Sequence, residues 1–133
     1  YYARHDYEAV ATDGADALMA EVRGRLDGLP GTVVGDLRVE AADDFTYVDP
    51  TDGSTSSRQG VRIRFVGGSR IVVRLSGTGT EGATLRVYLE RFEPADGRLD
   101  LPTSDALAPL VAAAEALLSI RAHTGRTAPD VVT

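Results

Sequence analysis

Val61, Ile63 and Phe65 alternate with Arg62 and Arg64, the pair Gly67-Gly68 follows, and Ile71, Val73 and Leu75 then alternate with Arg70, Val72 and Arg74. A period of two sends successive side chains to opposite faces of a strand, and glycines between two such runs supply the backbone freedom of a tight hairpin turn. A third run, Leu85, Val87 and Leu89 interleaved with Arg86, Tyr88 and Glu90, comes after a glycine-rich stretch. Three neighbouring strands, apolar on one side and arginine-bearing on the other, require an antiparallel sheet with one covered face and one open face.

The rest of the chain is read around that sheet. Asp6 is placed as the N-cap of a helix running to about Leu26, with Val10, Leu18, Met19, Val22 and Leu26 sharing a face. Gly14 weakens that helix, and Gly28-Leu29-Pro30-Gly31 ends it. Thr32-Val33-Val34, Leu37-Arg38-Val39-Glu40 and Phe45-Thr46-Tyr47-Val48 read as strand pieces, and the turn formers from Asp49 to Ser57 as a loop. After the turn Pro94-Ala95-Asp96-Gly97, Ser104 or Asp105 caps a second helix through about Ala122, and Thr124 onward is a tail. The order implies one α+β domain over residues 1–133, with helices at both chain ends covering one face of a sheet of about four or more strands.

Composition narrows the chemistry. The chain has no cysteine, and its two histidines, His5 and His123, lie far apart, so thiolate chemistry is excluded and a histidine-based metal cluster is not expected. The absence of cysteine fits a reducing compartment, and the expected location is the cytoplasm. No signal peptide precedes Tyr1, and the apolar run Leu107–Ile120 falls short of the roughly 20 residues needed to span a bilayer. Because the chain starts at Tyr1 and enters structure at once, it is read as a piece of something larger.

The net charge of −6 opposes a general nucleic-acid or membrane-surface binder, which needs a basic surface. Its distribution is uneven. All 14 basic residues are arginine, and seven fall within Arg58–Arg91, where the acids are Glu81 and Glu90, giving that segment a charge of +5. A local anion site in an acidic protein, or a solvated sheet face, accounts for this.

The stretch Arg74-Leu75-Ser76-Gly77-Thr78-Gly79-Thr80-Glu81-Gly82-Ala83-Thr84-Leu85-Arg86 admits three phosphate readings. Gly77 to Gly82 matches the dinucleotide pattern G-x-G-x-x-G, but that pattern works only with a helix following it, and Leu85–Leu89 has strand period. A Walker A loop fails because Ala83 stands in the lysine position. The third reading needs no helix: glycines let backbone N–H groups converge on an anion, Ser76, Thr78 and Thr80 add hydroxyls, and Arg74 and Arg86 close on it from either side. An ordinary turn between strands is the alternative.

Arg74-Leu75-Ser76-Gly77-Thr78-Gly79 with Arg86 downstream resembles the phosphate-binding loop in the C-terminal domain of the α-D-phosphohexomutases, in their phosphoglucomutase branch. Similar correspondences run through Asp49-Pro50-Thr51-Asp52-Gly53-Ser54, Arg58-Gln59-Gly60, Gly68-Ser69-Arg70-Ile71-Val72, Gly82-Ala83-Thr84-Leu85-Arg86-Val87-Tyr88 and Thr124-Gly125-Arg126-Thr127-Ala128-Pro129. The resemblance implies a fold similar to that of the TATA-box-binding protein and the fourth domain of a four-domain enzyme. That enzyme interconverts glucose 1-phosphate and glucose 6-phosphate through glucose 1,6-bisphosphate, using a phosphoserine and an aspartate-bound Mg²⁺ in other domains.

By the same resemblance Arg74, Ser76, Gly77, Thr78 and Arg86 grip the phosphate that is not being transferred, and Gly79 and Thr80 shape the loop. The partners implied are those three glucose phosphates and the other three domains, with no nucleic acid and no membrane. The chain carries no serine–histidine nucleophile stretch and no D-x-D-G-D metal motif, so no catalytic residue and no cofactor are expected within it. The alternatives are a stand-alone module using the arginine face on an anion or a nucleic acid, with Tyr88 to stack a base, and a scaffold domain docking an acidic partner.

Overall fold

The computed structural model describes residues 1–48, 55–79 and 82–133, with side chains described outside 45–59 and 77–81. In chain order the elements are β1 (Tyr2–Val10), α1 (Thr12–Arg25), a 3-10 turn (Leu26–Gly28), β2 (Val33–Val34), β3 (Leu37–Val48), β4 (Thr55–Phe65), β5 (Arg70–Gly79), β6 (Gly82–Glu90), α2 (Thr103–Leu118), α3 (Ile120–Thr124) and β7 (Val131–Val132). Among the described residues the strands form a seven-stranded sheet in the order β2-β3-β4-β5-β6-β1-β7, and its pairings are antiparallel.

The period-two runs form the centre of this sheet. Val61 pairs with Val73, Ile63 with Ile71, Val73 with Val87 and Ile71 with Leu89. All six of these side chains are buried on one face. Gly67 and Gly68 make the β4–β5 turn at φ 101° and 97°, values that side-chain-bearing residues rarely adopt. Against the apolar face α1 lays Ala15, Leu18, Met19 and Val22, and α2 lays Leu107, Leu110, Ala114, Leu117 and Leu118.

The N-terminal helix does not start at Asp6. Residues Tyr2–Val10 form a strand, Tyr2 opposite Glu90 through Tyr7 opposite Leu85, and α1 begins only at Thr12, with Ala11 as an N-cap that makes no side-chain hydrogen bond. The physical reason is long-range: β6 would otherwise end the sheet with a bare row of N–H and C=O groups, and β1 satisfies them. Ala9, at φ 51°, lies within a register shift between Tyr7 and Val10, after which Val10 still pairs with Ala83.

The second helix also differs from expectation. Its N-cap is Pro102 with no side-chain cap, so neither Ser104 nor Asp105 fills that role, and Ser119 at φ 51° breaks it before the short α3. Nor are the last residues a loose tail. Val131 and Val132 add a strand beside β1, opposite Asp6 and His5, and Thr133 exchanges backbone hydrogen bonds with Arg4 at 3.0 Å each way. Of the loop expected over Asp49–Ser57, residues 49–54 lie outside the described residues, while the backbone of Thr55, Ser56 and Ser57 instead begins β4, paired with the end of β3. Among those described, no helix is long and apolar enough to cross a membrane.

Candidate anion-binding site

Arg74 on β5 and Arg86 on β6 are direct register partners. Directly opposed residues of an antiparallel pair project from the same face with their Cβ atoms about 4.5–5.5 Å apart, so both guanidinium groups rise from the open side of the sheet. Both side chains are half-buried. Two pairs further along, and so on the same face, Ser76 faces Thr84, and Ser76 is exposed. Strand alternation places these four residues on one patch of the open face.

The glycine-rich stretch is less of a loop than its composition suggests. Gly77, Thr78 and Gly79 continue the backbone of β5, and Gly79 still pairs with Gly82 after a register shift that begins at Ser76. The pairing survives because Gly82 sits at φ 90° and lets the end of β1 approach. A Cβ on Gly82 would lie 2.7 Å from the carbonyl oxygen of Val10. The expected loop-shaping Thr80 lies outside the described residues, as does the side chain of Thr78.

Like charges set directly opposite one another repel, so the Arg74–Arg86 pair calls for negative charge nearby. Part of it comes from a residue that sequence reasoning assigned to a helix cap. Asp6 is the register partner of Arg86 on the other side, is only 4% exposed, and brings Oδ2 to 3.9 Å from Arg86 Nε. Arg4 holds the same carboxylate: its Nη2 donates to Asp6 Oδ2 at 3.0 Å, while its Nε lies 3.0 Å from Oδ1 without hydrogen-bond alignment. Only the placement of Tyr2–Val10 as a strand beside β6 could have revealed this, because Asp6 and Arg86 are 80 residues apart.

Beside the arginine pair, the open face sinks into a depression of about 390 Å³ floored by Val72 and bounded by Arg62, Arg74, Tyr2 and Tyr88. Tyr88 therefore lines this hollow. Several arginines around it are already committed to carboxylates across strands. Arg62 makes a two-pronged contact with Asp43, at 3.0 and 2.6 Å, and Arg70 donates to Glu90 at 3.2 and 3.0 Å. The Arg62 hydrogen bond holds the Asp43 carboxyl below its usual range, and the carboxylate in turn raises the Arg62 guanidinium. Among the described residues no three His, Asp or Glu side chains converge as a metal-ligand set.

Known proteins share this architecture. Residues 1–130 match the family model described as phosphoglucomutase-1, C-terminal domain. A phosphoglucomutase of Rhizobium radiobacter is 56% identical over the whole chain, which covers 24% of that protein. A cytoplasmic phosphoglucomutase of Solanum tuberosum is 45% identical, again with the whole chain matching 24% of its length. Other plant relatives are named chloroplastic. Among solved structures, parafusin from Paramecium, described as an exocytosis-sensitive phosphoprotein and a phosphoglucomutase in its open form, superposes with a TM-score of 0.81 at 40% identity, covering the whole chain and 22% of that one. The chain thus spans about a quarter of the length of the relatives it matches.

Proposed function

Because the chain belongs to the phosphoglucomutase-1 C-terminal domain family, we propose that it is the phosphate-gripping domain of a phosphoglucomutase, holding one end of a phosphosugar while the other end reacts in domains outside this chain. The observation that carries this reading is the register of Arg74 opposite Arg86 on the open face, with Ser76 and Thr84 two pairs beyond. Two planar guanidinium groups carried at facing positions on neighbouring strands can match the tetrahedral oxygens of a phosphate, and Ser76 adds a hydroxyl donor. The amides of Gly77 and the residues after it can join where the ladder loses register.

Such a grip is indifferent to which carbon bears the phosphate. That indifference suits an enzyme in which glucose 1-phosphate, glucose 6-phosphate and the glucose 1,6-bisphosphate between them must be held in turn. The Mg²⁺ and the phosphoserine of the reaction belong, on this reading, to other domains of the enzyme. The compartment follows the cytoplasmic relatives on this reading.

A nucleic-acid module is disfavoured by the same face. Arg4, Arg62 and Arg70 are each paired with a carboxylate, so the surface presents a local anion site rather than the continuous positive track a polyanion requires. The test is kinetic. In the full-length enzyme carrying this chain, Arg74→Ala and Arg86→Ala each lower kcat/KM by about 10- to 150-fold, the loss that corresponds to a charge-assisted contact of roughly 1.5–3 kcal/mol. Wild-type kinetics in both variants would remove the assignment.

A further inference from the structure

Among the described residues Asp6 is the buried charged side chain of this fold. It lies on the otherwise open face, between Arg4 and Arg86. A carboxylate taken out of water at an exposed sheet face is costly unless it is paired, and its two neighbours use it differently. Arg4 pairs with it closely, at 3.0 Å. Arg86 stands back: its Nε is 3.9 Å from Oδ2, is itself buried, and makes no hydrogen bond. Since the Arg86 side chain as a whole remains 40% exposed, that exposure falls on its other atoms.

We propose that Asp6 is a positioning residue for the anion site, clamped by Arg4 so that it attracts the Nε edge of Arg86 without neutralising it and turns the rest of that guanidinium toward the phosphate. The inference rests on the phosphate-gripping reading of Arg74 and Arg86 and adds a residue on a third strand to it. The clamp matters to the argument. With Oδ2 accepting from Arg4 and Oδ1 held 3.0 Å from Arg4 Nε, Asp6 orients Arg86 from 3.9 Å but does not close on it as a tight pair, which would compete with the ligand. The backbone around Asp6 is fixed from both sides, by Arg86 across β6 and by the bond from Asp130 N–H to the Asp6 carbonyl at 2.8 Å.

Two physical effects of removing the Asp6 charge have opposite signs, which makes the idea decidable. Deleting a negative charge beside an anion site strengthens anion binding if Asp6 acts only through its field. Losing the orientation of Arg86 weakens it.

The experiment titrates the chain with inorganic phosphate and follows the Arg side-chain Nε–H signals by NMR, comparing wild type, Asp6→Asn, Arg86→Ala and the double variant, with circular dichroism to establish folding. Asp6→Asn is expected to weaken phosphate binding by about tenfold, the scale on which supporting residues of a binding site act, and to add nothing once Arg86 is Ala. Unchanged or tighter binding in a folded Asp6→Asn overturns the positioning role while leaving the phosphate reading intact. Equal binding by wild type and Arg86→Ala overturns both. Should Asp6→Asn not fold, the wild-type chain decides: the Arg86 Nε–H should exchange with water at least about tenfold more slowly than that of Arg98, because one is buried and the other exposed. Equal exchange rates overturn the proposal.

Discussion

The carbonyl oxygen of His123 occupies the space that a side chain at Gly14 would need. Helices α1 and α3 approach so closely there that only a residue without Cβ fits, which turns an apparently poor helix residue into a packing requirement. An Ala elsewhere in a helix interior gains up to about 1 kcal/mol over Gly. A Cβ at Gly24, in the same helix, would meet nothing within 4 Å. Gly14→Ala is therefore expected to destabilise the chain by about 1–3 kcal/mol through overpacking, and Gly24→Ala to stabilise it by a fraction of 1 kcal/mol. Urea unfolding of the two variants checks the opposite signs, and stabilisation by both would contradict the close approach.

The strap formed by the last residues should loosen in acid. Asp130 accepts the Glu8 N–H at 2.7 Å and pairs with Arg126, whose Nη2 also donates to the Glu8 carbonyl. The Glu8 N–H bond, then Arg126, hold the Asp130 carboxyl below its usual range. A carboxylate with a lowered folded-state pKa stabilises the fold fully above its unfolded value near 3.9 and loses that contribution as the pH falls through the folded value. Cross-strand NOEs between β1 and β7 should thus persist at neutral pH and fade below about pH 4. In Asp130→Asn they should be weaker throughout, with no step in that range. A step of equal size in the variant would assign the transition to another group.

His5 titrates in the opposite part of the scale. Burial lowers its pKa, partly offset by the neighbouring Asp6 charge. The folded chain therefore prefers the neutral ring, and the stabilisation is complete above the unfolded value of about 6.5 and declines as the pH falls through the interval below it. Midpoints of urea unfolding at several pH values should drop between neutral pH and about pH 5 in the wild type. His5→Gln, which cannot charge, should flatten that limb. A variant profile superimposable on the wild type would locate the dependence elsewhere.

What was legible in the sequence was whatever local periodicity fixes. The alternation from Val61 to Leu89 carried β4, β5 and β6, their Gly67-Gly68 turn and the burial of one face, because each residue's side follows from its neighbours. The residues from Asp6 to Val10 read as the start of a helix because nothing local distinguishes a capping Asp6 from a sheet-bound one. The decision is made by the bare edge of β6 about eighty residues later. Val131 and Val132 are two residues long, too short for any periodic signal, and owe their strand to β1. At the site, Arg74 and Arg86 could be named from the motif, but their facing positions depend on register, and the Arg4–Asp6 clamp on a strand the sequence did not disclose.

Binding by the isolated chain should be weak and poorly selective among phosphorylated ligands. The grip rests on Arg74, Arg86 and their hydroxyl neighbours on an open sheet face. A few charge-assisted contacts must offset an association cost of roughly 4–15 kcal/mol, which leaves dissociation constants around the millimolar range or weaker. The recognised group is the phosphate alone, so inorganic phosphate, glucose 1-phosphate and glucose 6-phosphate should differ in affinity by no more than about threefold, and glucose itself should not bind. NMR titrations at fixed ionic strength test this, and the shifts should cluster at Arg74, Ser76, Thr84 and Arg86. A preference of more than about tenfold for one sugar phosphate would mean that this face reads the sugar as well. In that case the depression lined by Tyr2 and Tyr88 would be where to look for the contact.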